Sequence, residues 1–202
     1  MSGPAAYGLL VRVEAVTSER WDHLAAVLGS AGGDGGCWDM FWRLTASEYA
    51  ASSRDRNRAM LRGLVDARPQ APGLVAYCDG EPAGWISVGP RAGYRRLARS
   101  RHFAPLDDQD VFSVICLRVT PPHRGAGVAL ALIHAAVEHA QECEATAVEA
   151  YPVRTNGRRL KPAEAYCGTL DLFTAAGFQV VRQHTGAVSG GCPRVVVRRF
   201  LT

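Results

Sequence analysis

One segment limits the possible folds more than any other: an almost uninterrupted apolar run leads into a glycine-containing turn and then into an amphipathic helix. The run Val111–Val119 has the length of one strand and a single charged residue, which is typical of a central strand covered on both faces. Gly125 and Gly127 lie in the turn, and apolar residues recur at helical spacing as far as about Cys143. A strand that feeds a helix in this way favours an α/β fold.

Weaker patterns on either side complete the prediction of the elements. Further strands are predicted at Tyr7–Val16, Gly73–Cys78, Ala83–Val88, Ala145–Tyr151, Val180–Gln183 and Arg194–Phe200. Further helices are predicted from Thr17 to about Leu28, from about Ser53 to Ala67, and from Pro162 to Ala176. We therefore predict one α/β domain over residues 1–202, with a mixed sheet and helices on both faces.

Composition excludes several classes of protein. Hydrophobic residues make up 48% of the 202 residues, which is typical of a globular chain. No apolar run approaches the roughly 20 residues of a membrane helix, and the first residues do not resemble a secretory signal, so we expect a cytoplasmic protein with reduced thiols. The six cysteines include no C-x-x-C pair, and no metal site is predicted. A net charge of +4 is too mild to indicate nucleic-acid binding.

The turn after the apolar run favours an anion site. Small residues let backbone N–H groups approach a ligand, and a helix N-terminus adds unpaired donors and a positive partial charge. Arg124 adds a guanidinium at the rim. The Lys-Ser/Thr of a Walker A loop and the third glycine of a dinucleotide fingerprint are both missing. The residues leave two interpretations open, a pyrophosphate site or a tight turn whose glycines serve packing.

The same turn carries a resemblance to a known family. Arg124-Gly-Ala-Gly127-Val-Ala129 matches the Arg/Gln-x-x-Gly-x-Gly/Ala signature of the GNAT acyltransferases, and Leu172-Phe-Thr-Ala-Ala-Gly-Phe178 is similar to a later element of that family. The resemblance covers roughly Leu74 to Phe200. It implies a sheet that is mostly antiparallel and splayed in the middle. It also implies that residues 1–70 form acceptor-side helices and a lid, and residues 71–202 the cofactor-binding core.

The resemblance implies acetyl-CoA as the donor and CoA as a product. The backbone of Leu117, Arg118 and Val119 would pair with the pantetheine arm, and Phe173 would flank the sulfur of the donor. The thioester would lie where two central strands splay apart. The pyrophosphate would lie on the signature turn, whose residues are Arg124, Gly125, Ala126, Gly127, Val128 and Ala129.

Transfer to an amine needs a group that takes a proton, a donor for the developing oxyanion, and an acid for the leaving thiolate. Phe173 stands where many relatives have tyrosine, so we assign the acid to Tyr166, with Tyr151 as the other candidate. Ser113 falls about where one branch of the family carries its glutamate base, and a serine there can hold a water. We predict Glu149 as the general base; the alternative is a structural glutamate paired with an arginine.

The acceptor pocket is predicted from an aromatic segment and an arginine-rich connector, Arg91 to His102. The residues chosen to contact the acceptor are Trp38, Trp42, Arg43 and Tyr151. Aromatic rings flanked by guanidinium groups suit a substrate with an apolar or planar body and a carboxylate or phosphate. The alternative is that the aromatic residues form a core cluster. Cys116 is interpreted as a buried apolar thiol and His123 as facing solvent.

We expect an N-acetyltransferase that acts on a small-molecule amine by direct attack on the thioester in a ternary complex. A small acceptor is favoured because no acidic groove for a basic peptide is evident. Three alternatives stay open: a CoA-binding module without catalysis, a transferase of a larger acyl group, and binding of nucleic acid or protein by the arginine-rich connector. We expect no nucleic-acid or membrane partner, and homodimer formation is left open.

Overall fold

A seven-stranded sheet organises the described residues, which are 10–67, 70–183 and 185–202 of a computed structural model. The strands are β1 (Val11–Ala15), β2 (Gly73–Cys78), β3 (Glu81–Pro90), β4 (Val111–Val119), β5 (Ala147–Ala150), β6 (Gln179–Arg182), β7 (Val188–Ser189), β8 (Cys192–Pro193) and β9 (Val196–Phe200). The helices are α1 (Trp21–Leu28), α2 (Met40–Arg43), α3 (Ala46–Ala50), α4 (Arg54–Asp66), α5 (Arg95–Ala98), α6 (Val128–Glu142) and α7 (Leu170–Ala175). Among these helices none is long and apolar enough to cross a membrane.

The sheet is mixed but mostly antiparallel, which confirms the predicted fold class. Its strand order is β1-β2-β3-β4-β5-β9-β6, and β7 and β8 form a separate hairpin. Only the β4–β5 pair is parallel; the other neighbours in the large sheet are antiparallel. Helix α6 supplies the long connection that a parallel pair requires.

Each face of the sheet is covered by helices, as predicted. Helix α6 packs Leu132, Ile133 and Ala136 against one face, where they join the largest apolar cluster. Helices α1 and α4 cover the other face through residues such as Leu24 and Leu61, both fully buried. The two faces explain why β2 and β4 read as almost continuous apolar runs, since side chains on both sides of these strands are buried.

The centre of the sheet splays, as the resemblance implied. Strands β4 and β5 pair only from Val111 with Ala147 to Val114 with Ala150, whereas β4 continues to Val119. On its other side β4 stays paired with β3, with a register shift that leaves Ile115 as an extra residue opposite the step from Ser87 to Val88. The last five residues of β4 therefore present an edge that β5 does not cover.

Two predicted elements differ from the structure. The helix predicted from Pro162 to Ala176 is only α7, because residues 162–168 form turns and Gly168 has a φ of +79°. A Cβ on Gly168 would lie 2.9 Å from the ring of Phe173, so this position also favours glycine by contact. The strand predicted at Tyr7–Val16 is β1 at Val11–Ala15, and residues 7–9 of that prediction lie outside the described residues.

Candidate active site

A cavity of about 680 Å³ opens beside the uncovered edge of β4. Its wall at one end is the turn before α6 and the first residues of that helix. Its wall at the other end is formed by α1, the glycine-rich loop after it, and the aromatic segment around α2. The titratable side chains among its lining residues are Cys37, Asp39, Tyr49, Cys116, Arg118, His123, Arg124 and Tyr166.

The turn before α6 has the geometry of an anion cradle. Gly127 is the N-cap of α6 with a φ of +79°, and Gly125 has a φ of +82°. A Cβ built on either glycine would meet open space, so neither is explained by close packing. The first backbone N–H groups of a helix have no partner within the helix, and here they border the cavity. Close packing therefore does not explain these glycines, and the anion site stays a prediction.

Two side chains complete the rim of the cradle. Arg124 is exposed, and its Nε donates to the carbonyl of Val119 at 3.3 Å. His123 lines the cavity instead of facing only solvent, and its Nδ1 lies 2.8 Å from Oγ1 of Thr120. Of the six signature residues, Ala126 alone is not among the lining residues of the cavity.

A strap formed by residues 160–168 lies across the splayed gap and contacts the uncovered edge of β4. The backbone N–H of Leu117 donates to the carbonyl of Tyr166 at 2.7 Å. The thiol of Cys167 donates to the carbonyl of Ile115 at 3.0 Å. The strap therefore takes the place of β5 beside Ile115 and Leu117, and in the described residues it makes no hydrogen bond to Val119 at the end of this edge.

The side chain of Arg194 holds the strap in place. This arginine is buried, and its two terminal nitrogens donate to the carbonyls of Tyr151 at 2.8 Å and Glu164 at 3.2 Å. Its guanidinium also lies over the ring of Tyr166, 4.6 Å from the ring centre. Burial raises the pKa of the Tyr166 phenol far above its usual range, so this group stays protonated. The structure thus places Tyr166, with a neutral phenol, among the residues that line the cavity, at a position outside any helix.

The residues predicted to contact the acceptor do not line the cavity. Trp38 is buried and stacks on Trp21, with 5.9 Å between ring centres. Trp42 packs edge-on against Phe103 in a separate apolar cluster. The aromatic segment is thus largely core, which is the alternative stated above.

Arg43 is also held inside the protein. Its Nε donates to Asp39 Oδ2 at 3.0 Å, and one terminal nitrogen contacts Ser87 Oγ at 3.1 Å. Its guanidinium lies over the ring of Tyr94. The side chain of Asp39 has no solvent-exposed area, so this ion pair closes the wall of the cavity rather than offering a free charge.

Neighbours of the predicted residues line the acceptor end instead. Cys37, Asp39 and Phe41 alternate with Trp38, Met40 and Trp42, and the first three belong to the cavity. Tyr49 of α3 joins them, packed edge-on against Phe41. Sequence reasoning chose the larger aromatic residues; the alternation along the segment was the signal that could have identified the other set.

The predicted catalytic pair of Glu149 and Ser113 lies away from this cavity. Arg198 donates to Oε1 of Glu149 from two nitrogens, at 2.7 and 3.1 Å. The hydroxyl of Tyr151 donates to Oε2 at 3.1 Å and lies 2.9 Å from Oγ of Ser113. Glu149 borders a second cavity of about 600 Å³, whose lining includes Val111 and Phe112 at the start of β4. Its contacts match the structural alternative, and its role as base stays a prediction.

Phe173 and Cys116 lie in environments that differ from the ones predicted. Phe173 is fully buried against Phe178 and does not border the cavity, whereas Leu172 and Gly168 do. Cys116 lines the cavity and is partly exposed, yet burial, helped by Asp39 and Cys37, raises the pKa of its thiol well above the usual value. A thiol held protonated in this way is a poor nucleophile.

The comparisons with known proteins agree on one fold. A family model described as "Acetyltransferase (GNAT) family" matches residues 37–168. A search of curated proteins finds no match. Among solved structures, the putative acetyltransferase yncA from Salmonella typhimurium, solved with acetyl-CoA, is 16% identical, with coverage of 95% of this chain and 94% of that chain and a TM-score of 0.55.

Two other solved structures are similar to the same extent. Aminoglycoside acetyltransferase AAC(6')-Ib, solved with coenzyme A, is 16% identical over 95% of each chain, with a TM-score of 0.54. An N-acetyltransferase from Staphylococcus aureus Mu50 is 13% identical, with coverage of 96% of this chain and 99% of that chain and a TM-score of 0.54. At such identities the likeness establishes a shared fold, and it leaves the acceptor open.

Proposed function

The chain belongs to the acetyltransferase (GNAT) family, and from this premise we propose that it transfers an acetyl group from acetyl-CoA to the amine of a small molecule by direct attack on the thioester. One observation carries the proposal: a single cavity joins the cradle before α6 to the aromatic wall at Phe41 and Tyr49. The uncovered edge of β4 lies between the two ends. A donor bound at the cradle and an acceptor bound at the aromatic wall would meet on that edge.

The backbone of β4 supports the binding of an extended arm. Thr120 donates its N–H to Ala83 of β3, so N–H groups two and four residues earlier point to β3 as well. The groups of Leu117 and Val119 then point to the cavity. The Leu117 N–H is already bonded to Tyr166, which leaves the Leu117 carbonyl and the Val119 N–H for pairing with the pantetheine arm. The cradle residues Gly125 and Gly127 would hold the pyrophosphate.

The residues of the cavity fit direct attack better than a covalent intermediate on the enzyme. Its two thiols, Cys37 and Cys116, both have a raised pKa, and burial is the largest cause for each. Asp39 is the only carboxylate among the lining residues; its side chain has no solvent-exposed area, and Arg43 and Ser87 both bind its Oδ2. We therefore propose that the amine loses its proton to water in the cavity and that Tyr166 donates to the leaving sulfur.

Calorimetric titration and a thiol-release assay test the proposal on one sample. We expect acetyl-CoA and CoA to bind and at least one member of a panel of small amines to release CoA with equimolar N-acetyl product. Binding of acetyl-CoA with no turnover on any amine would contradict the proposed transfer. Tighter binding and faster turnover with a longer acyl-CoA would instead identify the chain as a transferase of a larger acyl group.

Substitution of Tyr166 by phenylalanine tests the proposed acid. The ring and its contact with Arg194 are kept and only the phenol is lost, so kcat should fall by on the order of 100-fold while the Kd of acetyl-CoA stays the same. The raised pKa of Tyr166 also predicts that wild-type activity does not decline through loss of this proton below about pH 10.

Tyr49→Phe is the matched control for this experiment, since Tyr49 is the other tyrosine that lines the cavity. Removal of the Tyr49 hydroxyl should leave kcat nearly unchanged. Equal kcat values for wild type and Tyr166→Phe would exclude Tyr166 as the acid.

A further inference from the structure

The side chain of Arg118 is a fixed cation in the wall of the cavity. Residues 116 and 118 of β4 project to the same side of the sheet as α1, opposite the side covered by α6. The Nε of Arg118 donates to the carbonyl of Val27 in the last turn of α1 at 3.0 Å. A helix C-terminus carries a negative partial charge, which holds a guanidinium in place. This single contact uses Nε and orients the remaining part of the guanidinium fork.

The two terminal nitrogens of Arg118 have no acidic partner among the residues that the structure describes. The side chain is partly exposed and belongs to the lining of the cavity. Its charge reaches Cys116, the neighbouring lining residue on the same face, where it acts to lower the pKa of the thiol against the larger effect of burial. The guanidinium thus lines the cavity next to the C-terminal end of α1, on the same face of β4 as Cys116.

The charges around the cavity favour an anion. Its other cationic residue, Arg124, lies at the cradle end with His123. Its one carboxylate, Asp39, forms an ion pair with Arg43, accepts a hydrogen bond from the hydroxyl of Ser87 and has no exposed area. An acceptor with several positive charges would find no free counter-charge here, whereas an acceptor with an anionic group would find the fork of Arg118.

We propose that Arg118 binds an anionic group, a carboxylate in the first instance, on the amine acceptor, so that the substrates are amines of the amino-acid type. The inference rests on the proposed function and narrows its substrate class. The aromatic wall of Phe41 and Tyr49 would take the apolar body of such a molecule. The guanidinium would fix the anion, and the amine would then lie toward the edge of β4. Arg118 is therefore a specificity-determining residue, and its side chain has no part in the transfer of the acetyl group.

Matched acceptors provide the test. The probes are a panel of α-amino acids with their α-carboxamides, and phosphoethanolamine with ethanolamine. With the wild-type enzyme, kcat/KM should be about 30-fold higher for the best amino acid than for its carboxamide, since a charge-assisted hydrogen bond is lost in the amide. The ratio of kcat/KM for phosphoethanolamine to that for ethanolamine is the corresponding measure for phosphate. If this ratio is larger than the ratio for amino acid and carboxamide, the anion that Arg118 recognises is phosphate and not carboxylate.

Two variants, Arg118→Met and Arg118→Lys, distinguish acceptor recognition by Arg118 from a structural role and from a role in donor binding. Arg118→Met should raise KM for the amino acid much more than KM for its carboxamide, so that the preference between the two is lost. Arg118→Lys keeps the charge without the fork and should retain part of the preference. An equal fall in kcat/KM for the amino acid and for its carboxamide would show that Arg118 has a structural role, and it would overturn the inference. A weaker Kd for acetyl-CoA with the preference intact would assign Arg118 to the donor and overturn it as well.

The inference and the proposed function can fail separately. Turnover of neutral amines as fast as of their anionic partners would overturn the inference and leave the acetyltransferase proposal standing. Binding of acetyl-CoA without turnover of any probe would overturn both. Thermal unfolding of each variant confirms that the comparison is made on folded protein.

Discussion

Replacement of Gly127 by glutamate is expected to weaken acetyl-CoA binding by on the order of 100-fold, or about 3 kcal/mol. A carboxylate at the N-terminus of α6 would repel the pyrophosphate that the cradle is proposed to hold. A side chain at a φ of +79° also costs roughly 1–2 kcal/mol relative to glycine, but this strain is present with and without the ligand and lowers the stability of the fold instead. The Cβ itself meets open space, so the fold should survive. Calorimetric titration with acetyl-CoA measures the loss.

The chain offers a close control for this variant. Gly80, in the turn between β2 and β3, also has a positive φ, +88°, and open space around a Cβ. Gly80→Glu therefore introduces the same backbone strain and the same charge away from the cavity, and acetyl-CoA should bind to it with the wild-type Kd. Asparagine tolerates the left-handed conformation and adds no charge, so the Kd of acetyl-CoA for Gly127→Asn should lie between those of the wild type and Gly127→Glu. Wild-type affinity in Gly127→Glu would restore the interpretation that the turn serves packing alone.

Local signals explain the part of the molecule that sequence reasoning predicted. The apolar run of β4, the turn at Gly125 and Gly127 and the face of α6 follow one another within about thirty residues, and neighbours in sequence determine each of them. Burial on both faces made β4 recognisable without knowledge of its partners. The strand, the turn and the helix were therefore predictable from local sequence, and the role of the turn as a pyrophosphate cradle stays a proposal.

Contacts between distant segments explain what was missed. The segment 162–168 has helical spacing, but Arg194 and the edge of β4 bind its carbonyl groups and Gly168 ends it before α7 begins. Trp38 was chosen for the acceptor pocket because tryptophan suits a ligand, yet it lies in a turn and stacks on Trp21 of α1, which makes it a core residue. Pairings between segments far apart in the chain decided these cases, and a single sequence does not display them.

Glu149 is the clearest case in which a chemical argument and a structural argument compete. A carboxylate next to the predicted thioester site is a reasonable base on chemical grounds. The structure encloses it with Arg198, whose side chain is as buried as its own, and with the phenol of Tyr151. Arg91 adds a second guanidinium at 3.6 Å. A carboxylate that accepts this many donors is held in place, and neither Glu149 nor the residues that bind it line the cavity.

Glu149→Gln is accordingly expected to destabilise the protein and to spare the reaction. The change leaves Arg198 buried with only the half-exposed Asp107 as a counter-charge, and breaking a buried ion pair costs about 3–5 kcal/mol. In a chain of this size such a loss lowers Tm by roughly 6–20 °C. At a temperature where the variant is folded, kcat should stay close to that of the wild type. A large fall in kcat with an unchanged Tm would establish Glu149 as the base after all.

A double-mutant cycle with Arg198→Met distinguishes a structural pair from independent effects. Arg198→Met alone leaves Glu149 buried with one guanidinium, Arg91, and should cost about as much free energy of unfolding as Glu149→Gln alone. The double variant removes both charges and should be less destabilised than the sum of the single variants by about 1–3 kcal/mol, because residues in direct contact do not contribute additively. Strict additivity would mean that the two side chains do not stabilise each other. In that case the enclosure of Glu149 would no longer argue against its predicted role in proton transfer.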